Sequence, residues 1–148
     1  MFRALRILHT GFLAGLALFS GSVIYLKARN QVPNQESLDR PLQVIAILIS
    51  LPLLVIGFRI FKRKMMEARN LNDTARRRLK HYKSACSLWW TMIDVPALFS
   101  IVAFLITGNY AFMFLAGFHF LLLLLFIPRK DNIAVLLNIS SQEMQELE

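Results

Sequence analysis

Three ionisable side chains with catalytic or ligating potential fall inside or at the edge of otherwise apolar stretches: Asp94 in Ile93-Asp94-Val95-Pro96, His119 in Phe118-His119-Phe120, and His9 near the start of the chain. An ionised carboxylate surrounded by hydrocarbon costs several kcal/mol unless it is paired or hydrated, so such a group marks a site that needs a partner. A carboxylate and an imidazole at similar depth are the minimal parts of a proton relay. Ser87, Thr91, Asp94 and Ala97 recur at helical spacing and give one helix a polar, small-residue stripe. Pro96 removes the helix bond to the carbonyl of Met92, an acceptor that a protonated Asp94 can satisfy.

Depth along the chain sets which of these groups can meet. Thr107-Gly108-Asn109 reads as a tight turn, and on ideal helices Asp94 lies about 14 residues (~21 Å) from it and His119 about 11 residues (~16 Å). That ~5 Å difference is within side-chain reach, so Asp94, His119, Thr91 and Ser87 form the candidate proton or ligand site. The competing reading of the same residues is interhelical hydrogen bonding with no chemistry. Haem ligation by His9 and His119 is disfavoured, because their depths differ by roughly 8 Å or more. Metal-ligand spacing, a nucleophile elbow and a phosphate-cradling glycine loop are absent from the sequence. The expectation is therefore a protein without enzymatic activity, metal or cofactor.

The elements that carry these groups are long and apolar. Ile7–Leu26, Leu42–Phe61, Leu88–Ile106 and Tyr110–Ile127 dominate a 148-residue chain that is 56% hydrophobic. Each has roughly the ~20 residues that cross ~30 Å of hydrocarbon. The fold class expected is an all-α membrane protein, residues 1–148 forming one membrane domain. It is a four-helix transmembrane bundle running up-down-up-down, with spans at 5–26, 42–61, 85–106 and 110–128. An outer loop covers 27–41, a basic loop or stalk 62–84, an outer turn 107–109 and a tail 129–148.

Local chemistry refines these boundaries. Pro41 suits the first turn of span two, and Pro52 should kink it, with Ser50 available to the freed backbone. Asn72-Asp73-Thr74 supplies N-cap chemistry for a helix running straight into span three. Ser140 and Glu143 have the spacing of a capping box opening a short C-terminal helix. The stretch 1–26 reads as a first span and not as a cleaved leader, because it is too long and lacks a small-residue cleavage site. Cys86 stands alone, so no intrachain disulfide can form.

The net charge of +8 is unevenly placed. Residues 62–84 hold nine Lys/Arg, whereas 27–41 hold three. Short basic loops stay on the cytoplasmic side, so both termini and the stalk are expected inside, in the cell inner (plasma) membrane. Lys62, Arg63, Lys64, Arg76, Arg77 and Arg78 are the expected contacts to anionic headgroups, which accounts for the basic charge without nucleic acid.

Gly11, Gly15, Ala17 and Gly21, with Ala14 and Ser22, line one broad sector of the first helix. Small residues let a neighbouring helix approach closely, the usual route to association in lipid. A homo-oligomer or a membrane protein partner is the expected use. A short echo, Ala17-Leu18-Phe19-Ser20 against Ala97-Leu98-Phe99-Ser100, hints at duplication.

Three stretches carry a family resemblance: Leu5 to Gly15, the third-span acid followed by Ala97-Leu98-Phe99 and Phe104 to Asn109, and the exit Phe126 to Arg129 leading to Leu137–Glu143. Together they resemble a family of uncharacterised small four-span bacterial integral membrane proteins. The resemblance implies the four-span topology and no activity. The third-span acid of that family is commonly Glu, so Asp94 is a shorter substitute. The function expected is a structural, assembly or accessory component acting through helix packing and its basic stalk. The alternative is a proton-coupled small-molecule transporter working as an oligomer, with Asp94 as the protonatable site.

Overall fold

A computed structural model of the chain describes residues 2–140, 142 and 143. It is all-helical among the described residues: α1 (Phe2–Ala28), α2 (Asp39–Asn70), α3 (Ala75–Thr107), α4 (Tyr110–Leu125) and α5 (Lys130–Leu137), with one 3-10 turn at Glu36–Leu38 before α2. α1, α2 and α3 are long and apolar enough to cross a membrane. α4 alone rises only ~24 Å. It reaches spanning length only together with α5, from which it is bent by 71°.

The helix ends have identifiable causes. α2 continues past the apolar run to Asn70, and α3 restarts five residues later with Thr74 as N-cap, so the basic segment is helical as its sequence suggested. The cap is made by backbone and neighbour: the Thr74 carbonyl accepts from the N–H groups of Arg77 and Arg78, and Asp73 Oδ1 accepts from the Thr74 N–H at 2.7 Å. α4 stops at Leu125 and not at 128 as expected, because Pro128 cannot donate to the helix and the last N–H groups turn back onto nearer carbonyls. α1 starts earlier than expected, at Phe2, and α2 at Asp39. Ser140 and Glu143 do form the reciprocal box: the Ser140 N–H donates to Glu143 Oε2 at 2.9 Å and the Glu143 N–H to Ser140 Oγ at 3.3 Å. Residues 142 and 143 are helical, and the rest of the expected helix lies outside the described residues.

α3 is the centre of the molecule. Half of its most apolar stretch is buried inside the protein, against 17% for α1 and 22% for α2. It packs on α1, α2 and α4, while α1 and α2 scarcely touch one another. α2 and α3 approach closely at Gly57, where an added Cβ would sit 2.7 Å from Met92 Sδ and 3.1 Å from Trp89 Cε3. Trp89 also meets Phe58, Phe61 and Phe126, an aromatic cluster tying α2, α3 and the end of α4 together.

Each end of the assembly is stitched by polar contacts. At one end, Asn109 donates from Nδ2 to both carboxylate oxygens of Asp39, at 2.9 and 2.8 Å, and the Gln35 N–H donates to the Ile106 carbonyl. Gly108 there has φ +74°, a conformation that favours glycine, and a Cβ would also strike the Asn34 amide. At the other, basic end, Arg78 donates to the carbonyls of Leu137 and Asn138, both at 3.0 Å, capping α5. Its guanidinium also lies 3.6 Å from Glu143.

Candidate binding groove along the central helix

The gap between α1 and α2 leaves one face of α3 uncovered. The residues that line it on α3 are Ser84, Ser87, Thr91, Asp94 and Leu98, spaced by alternating steps of three and four. The stripe read from the sequence is therefore real through Asp94 but ends on Leu98. Ala97 is fully buried and faces the packed side.

Two hollows follow this stripe, both bounded by Leu8 of α1. The first, about 720 Å³, opens among Lys64, Lys80 and Lys83 and is walled by Leu8, Leu88 and Met92. The second, about 560 Å³, has Asp94 on the α3 side and Gly11 and Gly15 on the α1 side. A Cβ built on Gly11, Gly15 or Gly21 would meet nothing within 4 Å. All four packing candidates, Ala17 included, are exposed. Among the described residues, the small-residue sector of α1 thus has nothing packed on its glycines. The glycine that does serve internal packing is Gly57, which sequence reasoning passed over because a lone glycine forms no pattern.

Asp94 occupies the second hollow half-buried, with Oδ1 shielded from solvent and without a hydrogen-bond partner. It makes no bond to the Met92 carbonyl. Nor does it pair with His119, as the depth argument had allowed. His119 is fully buried between α4 and α2: its Nδ1 donates to the Leu115 carbonyl at 2.8 Å, and its Nε2 accepts from Ser50 Oγ at 2.9 Å. Both ring nitrogens are committed, and Ser50 serves His119, not the backbone near Pro52. Thr91 donates to the Ser87 carbonyl one turn back, an ordinary helix contact. Asp94, Thr91 and Ser87 therefore share one groove, and His119 belongs to the core on another side of the bundle.

His9 also has a structural assignment. Its Nε2 donates to the Leu123 carbonyl at 2.9 Å, and its ring stands edge-on to Trp90 with centroids 4.8 Å apart. No group of three or more His, Cys, Asp or Glu side chains positioned to hold a metal occurs among the described residues.

The basic residues divide by partner. Arg63 pairs with Glu67 and Arg77 with Asp73, each one turn away, and Arg78 is spent on α5 and Glu143. Lys62 and Arg76 are exposed, and Lys64 lines the first hollow. The Thr74 N–H that donates to Asp73, helped by Arg77, holds the Asp73 carboxyl below the usual carboxylate range. Arg3, Arg6 and Lys130 converge on a further hollow at the same end, beside Phe2, Ile7 and Thr10.

The chain matches no family model, and searches of curated proteins and of solved structures find no similar protein.

Proposed function

We propose that this chain is a non-enzymatic, multi-pass protein of the bacterial inner membrane, a structural or accessory assembly component whose α1–α3 groove receives a second copy of itself. The observation that carries this reading is the pairing of two unmet needs in one place. Gly11 and Gly15 present bare backbone with nothing packed on it, and Asp94 beside them holds a carboxyl oxygen without a partner.

In lipid, a smooth glycine face associates through close van der Waals contact, and a polar group in the span finds its bond on the neighbouring helix. The α1 surface is both the wall of the groove and the narrow face that can enter one. A two-fold arrangement therefore lets each copy fill the other's hollow with the same surface, as an isologous interface requires. A protonated Asp94 then faces main-chain carbonyls that the glycines leave accessible.

The charge asymmetry supports four crossings, with α4 and the bend to α5 supplying the fourth. The basic end, with Lys64, Arg76–Arg78, Lys80, Lys83, Arg129 and Lys130, is then cytoplasmic, as are both termini. Mass measurement in native-like nanodiscs tests the reading. A dimer that becomes monomeric on Gly15→Leu is expected; a monomer at all protein concentrations contradicts it.

A second reading rests on the same carboxyl. An unpartnered Asp94 in an open hollow is also what proton-coupled exchange of a small molecule requires. pH-driven uptake into liposomes, abolished by Asp94→Asn, is its signature, and no uptake with any proton gradient removes it.

A further inference from the structure

The hollow among Lys64, Lys80 and Lys83 has a chemistry of its own. Lys64 comes from α2 and Lys80 and Lys83 from α3, with the hydroxyls of Ser84 and Ser87 between them and the apolar walls below. None of the three ammonium groups has an acidic partner among the described residues, whereas Arg63, Arg77 and Arg78 all do. Lys64 and Lys83 are also half-buried. Three cations gathered around one hollow without a counter-ion repel one another, a cost that an anionic ligand offsets.

From these features we infer that the hollow is a binding site for one anionic glycerophospholipid. Its phosphate lies among Lys64, Lys80, Lys83 and the two serine hydroxyls, and an acyl chain runs down the wall formed by Leu8, Leu88 and Met92. The composition changes in the right direction along the groove. Lysines and hydroxyls occupy the mouth, and the walls become apolar where the third apolar run begins at Leu88. From Lys83 to Met92 the helix rises about 14 Å, room for the phosphate and the start of an acyl chain. A soluble phosphate compound would leave that apolar wall unused. The site differs from the general attraction of a basic loop to headgroups, because it selects three lysines and leaves Lys62, Arg63 and Arg76 outside. It stands independently of the proposed dimer, which uses the adjoining hollow at Asp94.

The test uses the full chain in phosphatidylcholine nanodiscs, with brominated-tail phosphatidylglycerol or brominated-tail phosphatidylcholine as probe. Trp89 and Trp90, the two tryptophans of the chain, lie on α3 between the groove-lining Leu88 and Thr91 and report quenching. The wild-type protein is expected to be quenched by the anionic lipid at a markedly lower mole fraction. The K64Q/K80Q/K83Q variant loses that preference by about tenfold or more, since each lysine near anionic lipid contributes substantially. The K64R/K80R/K83R variant keeps it, and so does K62Q/R63Q/R76Q, which removes the same charge outside the groove. Unchanged helical circular dichroism secures the fold of each variant. Equal quenching by the two lipids overturns the proposal, as does equal loss in the two glutamine variants, which means diffuse surface charge. Displacement of the lipid by millimolar inorganic phosphate overturns it in favour of a soluble phosphate ligand.

Discussion

His9 on α1 donates from Nε2 to the main-chain carbonyl of Leu123 on α4, 2.9 Å away and buried beside Trp90. Leu123 lies in the last turn of α4, where the helix ladder ends and its carbonyl otherwise accepts only from the Phe126 N–H at 3.2 Å. A side chain at one end of the chain thus caps a helix near the other. His9→Ala leaves that carbonyl with only the shared Phe126 N–H and should cost about 0.5–1.5 kcal/mol. Thermal unfolding in detergent measures the loss, and His9→Gln, which still carries an N–H donor, should recover part of it.

Ser50 and His119 form the second buried bridge, between α2 and α4, at 2.9 Å. Bonds of this kind between membrane helices contribute about 0.6–1.7 kcal/mol. Ser50→Ala and His119→Leu should each destabilise. The double variant should cost less than the sum, because it leaves no buried group unpaired. Strict additivity in a double-mutant cycle would show that the bridge carries no coupling energy.

Gly57 lies where α2 packs closely on α3. Gly57→Val drives a side chain into Met92 and Trp89 and should cost about 1–3 kcal/mol by overpacking. Gly117→Ala, at a helical glycine with nothing within 4 Å, should hold or slightly raise the melting temperature. Comparing the two thermal midpoints checks the assignment of the internal contact.

Helix existence and extent could be read from the sequence because apolar runs, proline and cap residues act locally. The stalk from Lys62 to Ser84 is an example: Asn70 ends one helix and the next starts after Thr74, where Asn72-Asp73-Thr74 implied a start, although the Thr74 side chain makes no cap bond. Rotation about the helix axes could not be read. Asp94 and His119 lie at similar depth, yet depth says nothing about azimuth, and α4 turns His119 toward Ser50 while α3 turns Asp94 toward α1. The glycine sector of α1 was visible as a sector, but only its surroundings show that this chain leaves it uncovered. The echo of Ala17-Leu18-Phe19-Ser20 in α3 has no structural counterpart, since Ala17 is exposed and Ala97 buried. Arg78 gave no signal at all, because its acceptors are main-chain carbonyls some sixty residues away.

Acid should loosen the start of α3 before the rest of the helix. The Thr74 N–H and Arg77 both favour the ionised form of Asp73, so its carboxyl titrates below its unfolded value. A carboxylate with a depressed folded-state pKa stabilises at pH above its unfolded value, ~4, and that contribution disappears as pH falls through the folded value. Amide exchange at Thr74, whose N–H bonds Asp73, should speed up below ~pH 4 relative to the middle of α3. In Asp73→Asn this pH dependence should be absent.

Cysteine cross-linking tests the central claim most directly. In a Cys86→Ser background, a single cysteine at Gly15 should form an inter-copy disulfide rapidly in the membrane. A cysteine at Phe114, on the exposed face of α4, should not. Rapid coupling at position 15 and none at 114 is the result predicted for copies meeting through the α1–α3 groove. Equal coupling at both positions, or coupling only at 114, would contradict it.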